Sequence, residues 1–299
     1  MLFRSIDGFI AELRLHPPPL ARIDDFASEL REPLGEAGFR IDASSGESSE
    51  SPIIAADTAT CADCLREVFD PDNRRHGHAF ANCTNCGPRL TIVNGAPYDR
   101  AKTTMAGFEL CPECRREYES PSDRRFHVQP VACSQCGPRL SLSLDEAASR
   151  LLSGEIGAIK GVGGYHLACD ATNEAVVSEL RRRKHRDAKP FAVLVRDIEQ
   201  AASLCEIGKL ERSLLLDRAA PIVLSTKRSP SAVATAVAPG LELLGLMLPS
   251  TPLHHLLIRA VGRPLVLTSG NRSDEPMVYD RSEERRVGKE CRSRWSPYH

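Results

Sequence analysis

Eight of the eleven cysteines in this 299-residue chain write one ligand pattern twice. The first copy runs Cys61-x2-Cys64-x18-Cys83-x2-Cys86 and the second Cys111-x2-Cys114-x18-Cys133-x2-Cys136, fifty residues later. A Cys-x2-Cys knuckle lets two thiolates reach one ion, and a second knuckle about eighteen residues on completes the four-cysteine tetrahedron of structural zinc. The duplication extends past the ligands. Cys83-Thr-Asn-Cys86-Gly-Pro-Arg-Leu is echoed by Cys133-Ser-Gln-Cys136-Gly-Pro-Arg-Leu, and Asp72-Asn-Arg-Arg by Asp123-Arg-Arg. Two zinc ions are expected, each in one consecutive quartet, because the short ligand loop closes at lower entropic cost than one crossing between modules. The alternative interleaves them, pairing Cys61 and Cys64 with Cys133 and Cys136. A disulfide framework competes with both, but no apolar signal segment precedes the pairs. Cys169, Cys205 and Cys291 have no spaced partner and read as ordinary thiols.

Three further stretches carry chemistry. Lys160, Gly161, Gly163, Gly164 and His166 lie in a glycine-rich run after an apolar strand pattern. Such a run either brings backbone N–H groups to an anion beside the Lys160 charge or simply turns the chain. It has neither Walker nor Rossmann spacing. The second stretch, Arg181-Arg-Arg-Lys-His-Arg186 with Lys189, is a basic cluster suited to phosphate or to a solvated helix face. The third, Thr268-Ser-Gly-Asn-Arg-Ser273, follows a strand pattern where α/β sheets place ligand groups, although a polar turn has the same composition.

The elements that must position these residues are legible in part. Phe9, Ile10 and Leu13 give residues 6–15 the period of an amphipathic helix, which Pro17 to Pro19 terminate. Residues 20–23 and 39–41 read as short strands, and 44–51 as a Ser/Glu-rich linker, so that 6–50 resembles the back end of a small α/β domain. Residues 57–140 lack long periodic segments, as expected where metal replaces core area. From residue 142 onward helical patterns at 145–153, 174–184, 198–204 and 252–261 alternate with strand patterns at 156–160, 191–195, 221–224 and 264–268. That alternation predicts an α/β sheet domain.

Composition narrows the function. Hydrophobic residues make up 41% of the chain, enough for a sizeable core, and the formal charge is −1. With a pI near 6.8 and no basic, aromatic-rich stripe, nucleic acid is not expected as a partner. No run of about eighteen apolar residues reads as a membrane span, and a cytoplasmic protein is expected. Residues 281–299 change composition abruptly and resemble a translated sequencing adapter: AGATCGGAAGAG encodes Arg-Ser-Glu-Glu, and its reverse complement encodes the Leu-Phe-Arg-Ser that follows Met1. Residues 1–5 and 281–299 are therefore read as adapter-derived.

Taken in order, the paired modules with their Gly-Pro-Arg tails, Tyr98-Asp-Arg-Ala-Lys-Thr-Thr-Met-Ala-Gly107, Asp123-Arg-Arg-Phe-His127, Lys160 to Asp170, Lys184-His-Arg-Asp-Ala-Lys-Pro-Phe-Ala-Val193, Pro249-Ser-Thr-Pro-Leu-His-His255 and Thr268-Ser-Gly-Asn271 resemble the HypF carbamoyltransferase family of [NiFe]-hydrogenase maturation. The resemblance implies an α/β multidomain fold. Residues 6–50 would be the C-terminal part of a ferredoxin-like acylphosphatase domain, 57–140 the tandem zinc region with modules at 61–86 and 111–136, and 142–280 a truncated YrdC-like domain. Catalytic residues of the acylphosphatase and transferase sites are expected to lie outside the chain.

The family chemistry that the resemblance implies converts carbamoyl phosphate to carbamate, adenylates it with ATP and Mg2+ to carbamoyl-AMP, and transfers the carbamoyl group to the C-terminal cysteine of HypE. By the same implication, Lys160, Lys184, Arg186 and Lys189 are candidates for phosphate and carbamoyl contacts. Gly161, Gly163 and Gly164 would belong to the binding loop, and Ser269 and Asn271 would supply hydrogen bonds. His166 is either a donor near the reacting carbonyl or a core or turn histidine. Two alternatives share features: a threonylcarbamoyl-adenylate synthase serving tRNA modification, which ordinarily has no zinc pair, and a zinc-dependent RNA-binding protein.

Overall fold

The computed structural model describes residues 6–21, 23–29, 32, 54–271 and 276–278. The expectations for residues 1–5, 39–41, 44–51 and 281–299 fall outside this set. Ile6–Leu15 forms α1, the span its apolar period predicts, but none of its residues is buried. The short strand expected at 20–23 does not form among the described residues. Ala21 instead donates its N–H to the Pro18 carbonyl at 2.8 Å, so the proline run closes a turn.

Two short helices, α2 (Ala62–Phe69) and α3 (Pro112–Glu119), open the cysteine modules, with Cys61 and Cys111 at their N-caps. The remaining helices are α4 (Leu144–Leu152), α5 (Glu174–Arg183), α6 (Ile198–Leu204), α7 (Lys209–Leu215) and α8 (Pro252–Val261). Caps explain why several of these spans are readable in sequence. Asp197 Oδ1 accepts from Gln200 N at the start of α6, while Thr251 with Pro252 starts α8 and Gly262 at φ +71° ends it.

The strands are β1 (Gly157–Gly161), β2 (Gly164–Asp170), β3 (Ala192–Leu194), β4 (Val223–Thr226), β5 (Leu243–Met247) and β6 (Leu265–Ser269). They form one mixed sheet in the order β1-β2-β6-β3-β5-β4, in which β3–β5 is the parallel pair and the other neighbours are antiparallel. Three elements are absent from the sequence pattern, each for a physical reason. The second half of β2 is buried on both faces and so does not alternate. Only Leu215 is buried in α7, whose other leucines face solvent. In β5 the apolar run is interrupted by Gly245, where a Cβ would come within 3.0 Å of Ile222 Cγ2.

Alternation along β3 and β6 supplies two cores. Val193 and Val266 point into the layer under α5 and α6, while Leu194, Leu265 and Leu267 point under α4 and α8. Ala79 and Phe80 of the first cysteine module join the second layer. Thr60 N donates to Ser250 O at 3.0 Å, and the Arg259 guanidinium lies 4.6 Å from the Phe69 ring centre. The metal region is thus packed onto the α8 side of the sheet.

The glycine-rich run is the β1–β2 hairpin. Gly161 pairs with Gly164, and Gly163 and Gly164 adopt φ +83° and +149°, which other residues reach only with strain. Residues 276–278 return over this turn, with Tyr165 N donating to Val278 O at 2.7 Å and a Cβ on Gly164 falling 2.6 Å from that carbonyl. Gly164→Ala is therefore expected to destabilise the sheet domain by roughly 2 kcal/mol or more. Gly262→Ala, strained but in open space, should cost about 1 kcal/mol. Denaturant midpoints check this, and equal losses at the two positions would show that the returning segment does not press on Gly164.

Candidate metal centres and anion site

Each cysteine quartet is assembled from one helix N-terminus and one knuckle. The four Sγ atoms of Cys61, Cys64, Cys83 and Cys86 lie within 4.8 Å of one another, as do those of Cys111, Cys114, Cys133 and Cys136. Sulfur separations of 3.6 Å for Cys61–Cys83, 3.8 Å for Cys83–Cys86, 3.8 Å for Cys111–Cys133 and 3.7 Å for Cys133–Cys136 far exceed a disulfide bond. They match the edge of about 3.8 Å that follows from four Zn–S bonds of about 2.3 Å around a tetrahedron. The residues therefore fit structural zinc, and the geometry has consecutive quartets rather than interleaved ones. Gly87 and Gly137 end the knuckles because a Cβ at either would meet Asn82 or Ala132 at 2.7 or 2.5 Å.

The fifty-residue offset also organises charge around the sulfurs. Glu67 on α2 and Glu117 on α3 stand one turn beyond Cys64 and Cys114. Arg74 and Arg75, from the first module, bind Glu117 of the second, with Arg74 Nη2 also 3.4 Å from both Cys111 Sγ and Cys114 Sγ. Reciprocally, Arg124 and Arg125 bind Glu67, and Arg124 Nη1 donates to Cys64 Sγ at 3.3 Å. Burial opposes ionisation of Glu67, but the Arg125 and Arg124 contacts outweigh it and hold the carboxyl below its ordinary range; Arg75 does the same for Glu117. The Arg-Arg echo is visible in the sequence, but its role is not. The repeat offset of Glu67 to Glu117 was the available signal.

The second site forms where the basic loop after α5 meets the end of β6. Lys184 caps α5 and donates from Nζ to Ser269 O at 2.6 Å, Asn271 O at 3.0 Å and Asn271 Oδ1 at 3.3 Å. Ser269 Oγ donates to Asn271 Oδ1 at 2.7 Å. Arg186 Nη1 reaches Thr268 Oγ1 at 3.1 Å, and its guanidinium stacks 4.7 Å from the Phe191 ring centre. Thr268, a residue the candidate set omits, is buried on the opposite face of β6 from Ser269.

The rest of the basic cluster divides by role. Arg181 holds the loop by donating to the carbonyls of Arg186, Asp187 and Lys189, whereas Arg182 and Arg183 pair with Glu179 on the helix surface. Lys189 is exposed and joins this network through its carbonyl. Lys160 is exposed on β1, with Nζ 5.3 Å from the Tyr165 ring centre. Gly161, Gly163 and Gly164 meet packing and turn requirements, so their spacing is accounted for without an anion.

His166 lies on β2, opposite Ser269 of β6, rather than in a turn. Its ring is 6.1 Å from that of His254 on α8, a residue that the candidate set also omits. Gly161 leaves room for both: a Cβ there would be 2.7 Å from His166 Nδ1 and 3.4 Å from His254 Nε2. Burial pushes both imidazoles below their ordinary range, His254 to about 3.

Residues 60–93 and 110–143 match the family described as HypF finger, and residues 149–291, running past Asp280, the family described as Telomere recombination, of the Sua5, YciO and YrdC type. Carbamoyltransferase HypF of Rhodobacter capsulatus is 50% identical over 293 residues, covering 94% of this chain and 39% of that protein. A crystal structure of full-length HypF in the phosphate- and nucleotide-bound form superposes with a TM-score of 0.89 at 42% identity, covering 95% of this chain and 39% of that one. T. kodakarensis HypF gives a TM-score of 0.86 at 41% identity, with 95% and 38% covered. The chain thus spans about two fifths of the length of the relatives it matches.

Paired four-cysteine modules packed on a Sua5/YrdC-type sheet define a class of zinc-module α/β proteins. The chain belongs to the HypF carbamoyltransferase family.

Two measurements test the sites. Elemental analysis of purified chain is expected to find two zinc ions, falling to one in Cys86→Ser or Cys136→Ser; one ion or none in the unaltered chain would contradict the paired centres. Protonation is the second. An unfolded histidine takes up its proton near pH 6.5, whereas folded His254 resists protonation until about 3. The unfolded state therefore binds more protons between these values, and this contribution to stability, complete above about 6.5, is lost as pH falls toward 3. The His254 ring resonances should hold still between pH 8 and 5; a titration midpoint near 6.5 would contradict its burial.

Proposed function

We propose that the sheet domain forms carbamoyl-adenylate from carbamate and ATP with Mg2+, as part of a carbamoyltransferase acting in [NiFe]-hydrogenase maturation. The observation that carries this reading is the convergence of Lys184 and Arg186 on the Thr268–Asn271 end of β6. In the reaction a carbamate oxygen attacks the ATP α-phosphorus, a new P–O bond forms, and the bond to the β-phosphate oxygen breaks to release pyrophosphate. Negative charge spreads over phosphate oxygens, so the protein's task is to place cations and donors rather than to supply a nucleophile. Arg186 and Lys184 provide charge, and Ser269 and Asn271 orient the carbamoyl or phosphate oxygens. Lys160, Lys189 and the Gly161–Gly164 turn flank this end of the site, with His166 available as a neutral hydrogen-bonding group.

The wider reading takes carbamoyl phosphate as the source of carbamate, the cytoplasm as the location, and the C-terminal cysteine of HypE as the acceptor. Membership of the HypF family supports it. Among the described residues no helix is long and apolar enough to cross a membrane. The match of residues 149–291 to the Sua5/YrdC-type family favours one second reading, adenylation of threonylcarbamate. Supplying threonine with bicarbonate, against carbamate alone, distinguishes the two by which one drives pyrophosphate release.

Lys184→Ala and Arg186→Ala are each expected to lower carbamate-dependent pyrophosphate release at least about tenfold, since a charge-assisted phosphate contact contributes roughly 1.5–3 kcal/mol. Unchanged turnover in both variants would return the basic cluster to the solvated surface.

A further inference from the structure

We propose that the two cysteine quartets load metal as one cooperative unit, because arginines from each module complete the outer coordination sphere of the other module's quartet. The ligand sets themselves are separate. What crosses between them is the charge compensation. Four thiolates around one divalent cation leave two net negative charges, and thiolate sulfur is stabilised by donors aimed at it. In the Cys111 quartet those donors come from the first module: Arg74 Nη2 lies 3.4 Å from Cys111 Sγ and Cys114 Sγ, and Arg75 Nη2 lies 3.6 Å from Cys114 Sγ. In the Cys61 quartet the donor is Arg124 Nη1, 3.3 Å from Cys64 Sγ, supplied by the second module.

The arginines lie on the segment that their own module's quartet would close. Arg74 and Arg75 sit between α2 and the Cys83 knuckle, the two pieces that the first quartet ties together. Arg124 and Arg125 sit in the same place between α3 and the Cys133 knuckle. Emptying one quartet frees the segment that carries the arginines, and the other quartet loses its donors. Further bonds fix each pair across the boundary. Arg75 Nε donates to Ala132 O and Arg125 Nε to Asn82 O, each at 3.1 Å, and the side chains of Arg75 and Arg125 are 2% and 4% exposed. Buried donors of this kind are little screened by salt.

Coupling between two binding sites is reciprocal, so each ion must raise the affinity of the other by the same factor. Loss of an outer-sphere partner typically lowers metal affinity 10–100-fold, and a factor of about that size is expected here. The contacts are unequal: among the described residues the Cys111 quartet receives three arginine–sulfur donations and the Cys61 quartet one. Arg74→Met should therefore harm the Cys111 quartet more than Arg124→Met harms the Cys61 quartet.

The test uses the whole chain and does not depend on activity. Zinc is withdrawn from the unaltered chain with graded chelator, and native mass spectrometry counts the species with two, one and no ions. A one-ion species at least about tenfold scarcer than independent sites would give supports the unit; statistical abundance of that species overturns it. Substitution of cadmium-113 for zinc then reports each quartet separately, the two resonances being assigned with Cys86→Ser and Cys136→Ser. Arg74→Met is expected to shift the Cys111-quartet resonance and weaken cadmium retention there about tenfold or more, with Arg74→Lys restoring part of it. A change confined to the Cys61 quartet, or retention within twofold of the unaltered chain at the Cys111 quartet, overturns the assignment.

Discussion

Metal–thiolate bonding is the constraint on which residues 57–140 depend. This stretch contains two eight-residue helices, two short 3-10 turns and few apolar side chains, too little to bury a core of its own. Its most buried residues include six of the eight ligand cysteines and Arg75, a cation that would be costly to bury without Glu117 against it. Sulfur tetrahedra and paired guanidinium–carboxylate contacts thus take the place that leucines and valines occupy in the sheet domain. The arrangement also places Ala79 and Phe80 so that the first module can bury them under α8, joining metal chemistry to the packing of the sheet.

In the sheet domain the decisive feature is the insertion of β6 between β2 and β3. Its residues are buried on both sides, which fixes its register against His166 and Ala192. The end of β6 then delivers Ser269 and Asn271 to Lys184, a residue eighty-five positions earlier than Ser269. Arg181 shapes the intervening loop from below, holding several of its carbonyls so that Lys184 and Arg186 face β6 while Arg182 remains with Glu179 at the surface. One run of basic residues therefore performs three tasks, and the division is set by which side of α5 each residue occupies.

The two sites differ in what holds them. Each cysteine quartet is local, closed by a loop of fixed length, and its geometry follows from the preference of zinc for four sulfurs at equal distances. The candidate anion site is built from one loop and one strand end far apart in sequence, which only the sheet brings together. His166 and His254 show the same dependence: their rings, one from a strand and one from a helix, crowd the space that a Cβ on Gly161 would need, so the absence of a side chain there lets them meet.

By itself the sequence determined the elements and ligands whose signals are local. The ligand pairs follow from Cys-x2-Cys spacing, α6 and α8 from helical patterns, and β6 from a short apolar run ahead of a polar turn. Only tertiary structure decided the rest. The glycine-rich run was legible as either an anion loop or a turn, yet its role as the β1–β2 hairpin depends on β2, whose two-sided burial erases the alternation that announces a strand. The Arg-Arg echo was legible as repetition, yet which quartet each pair serves depends on how two similar modules face each other. Spacing along the chain specifies what a residue can reach locally; packing between modules specifies which of several chemically equivalent partners it meets.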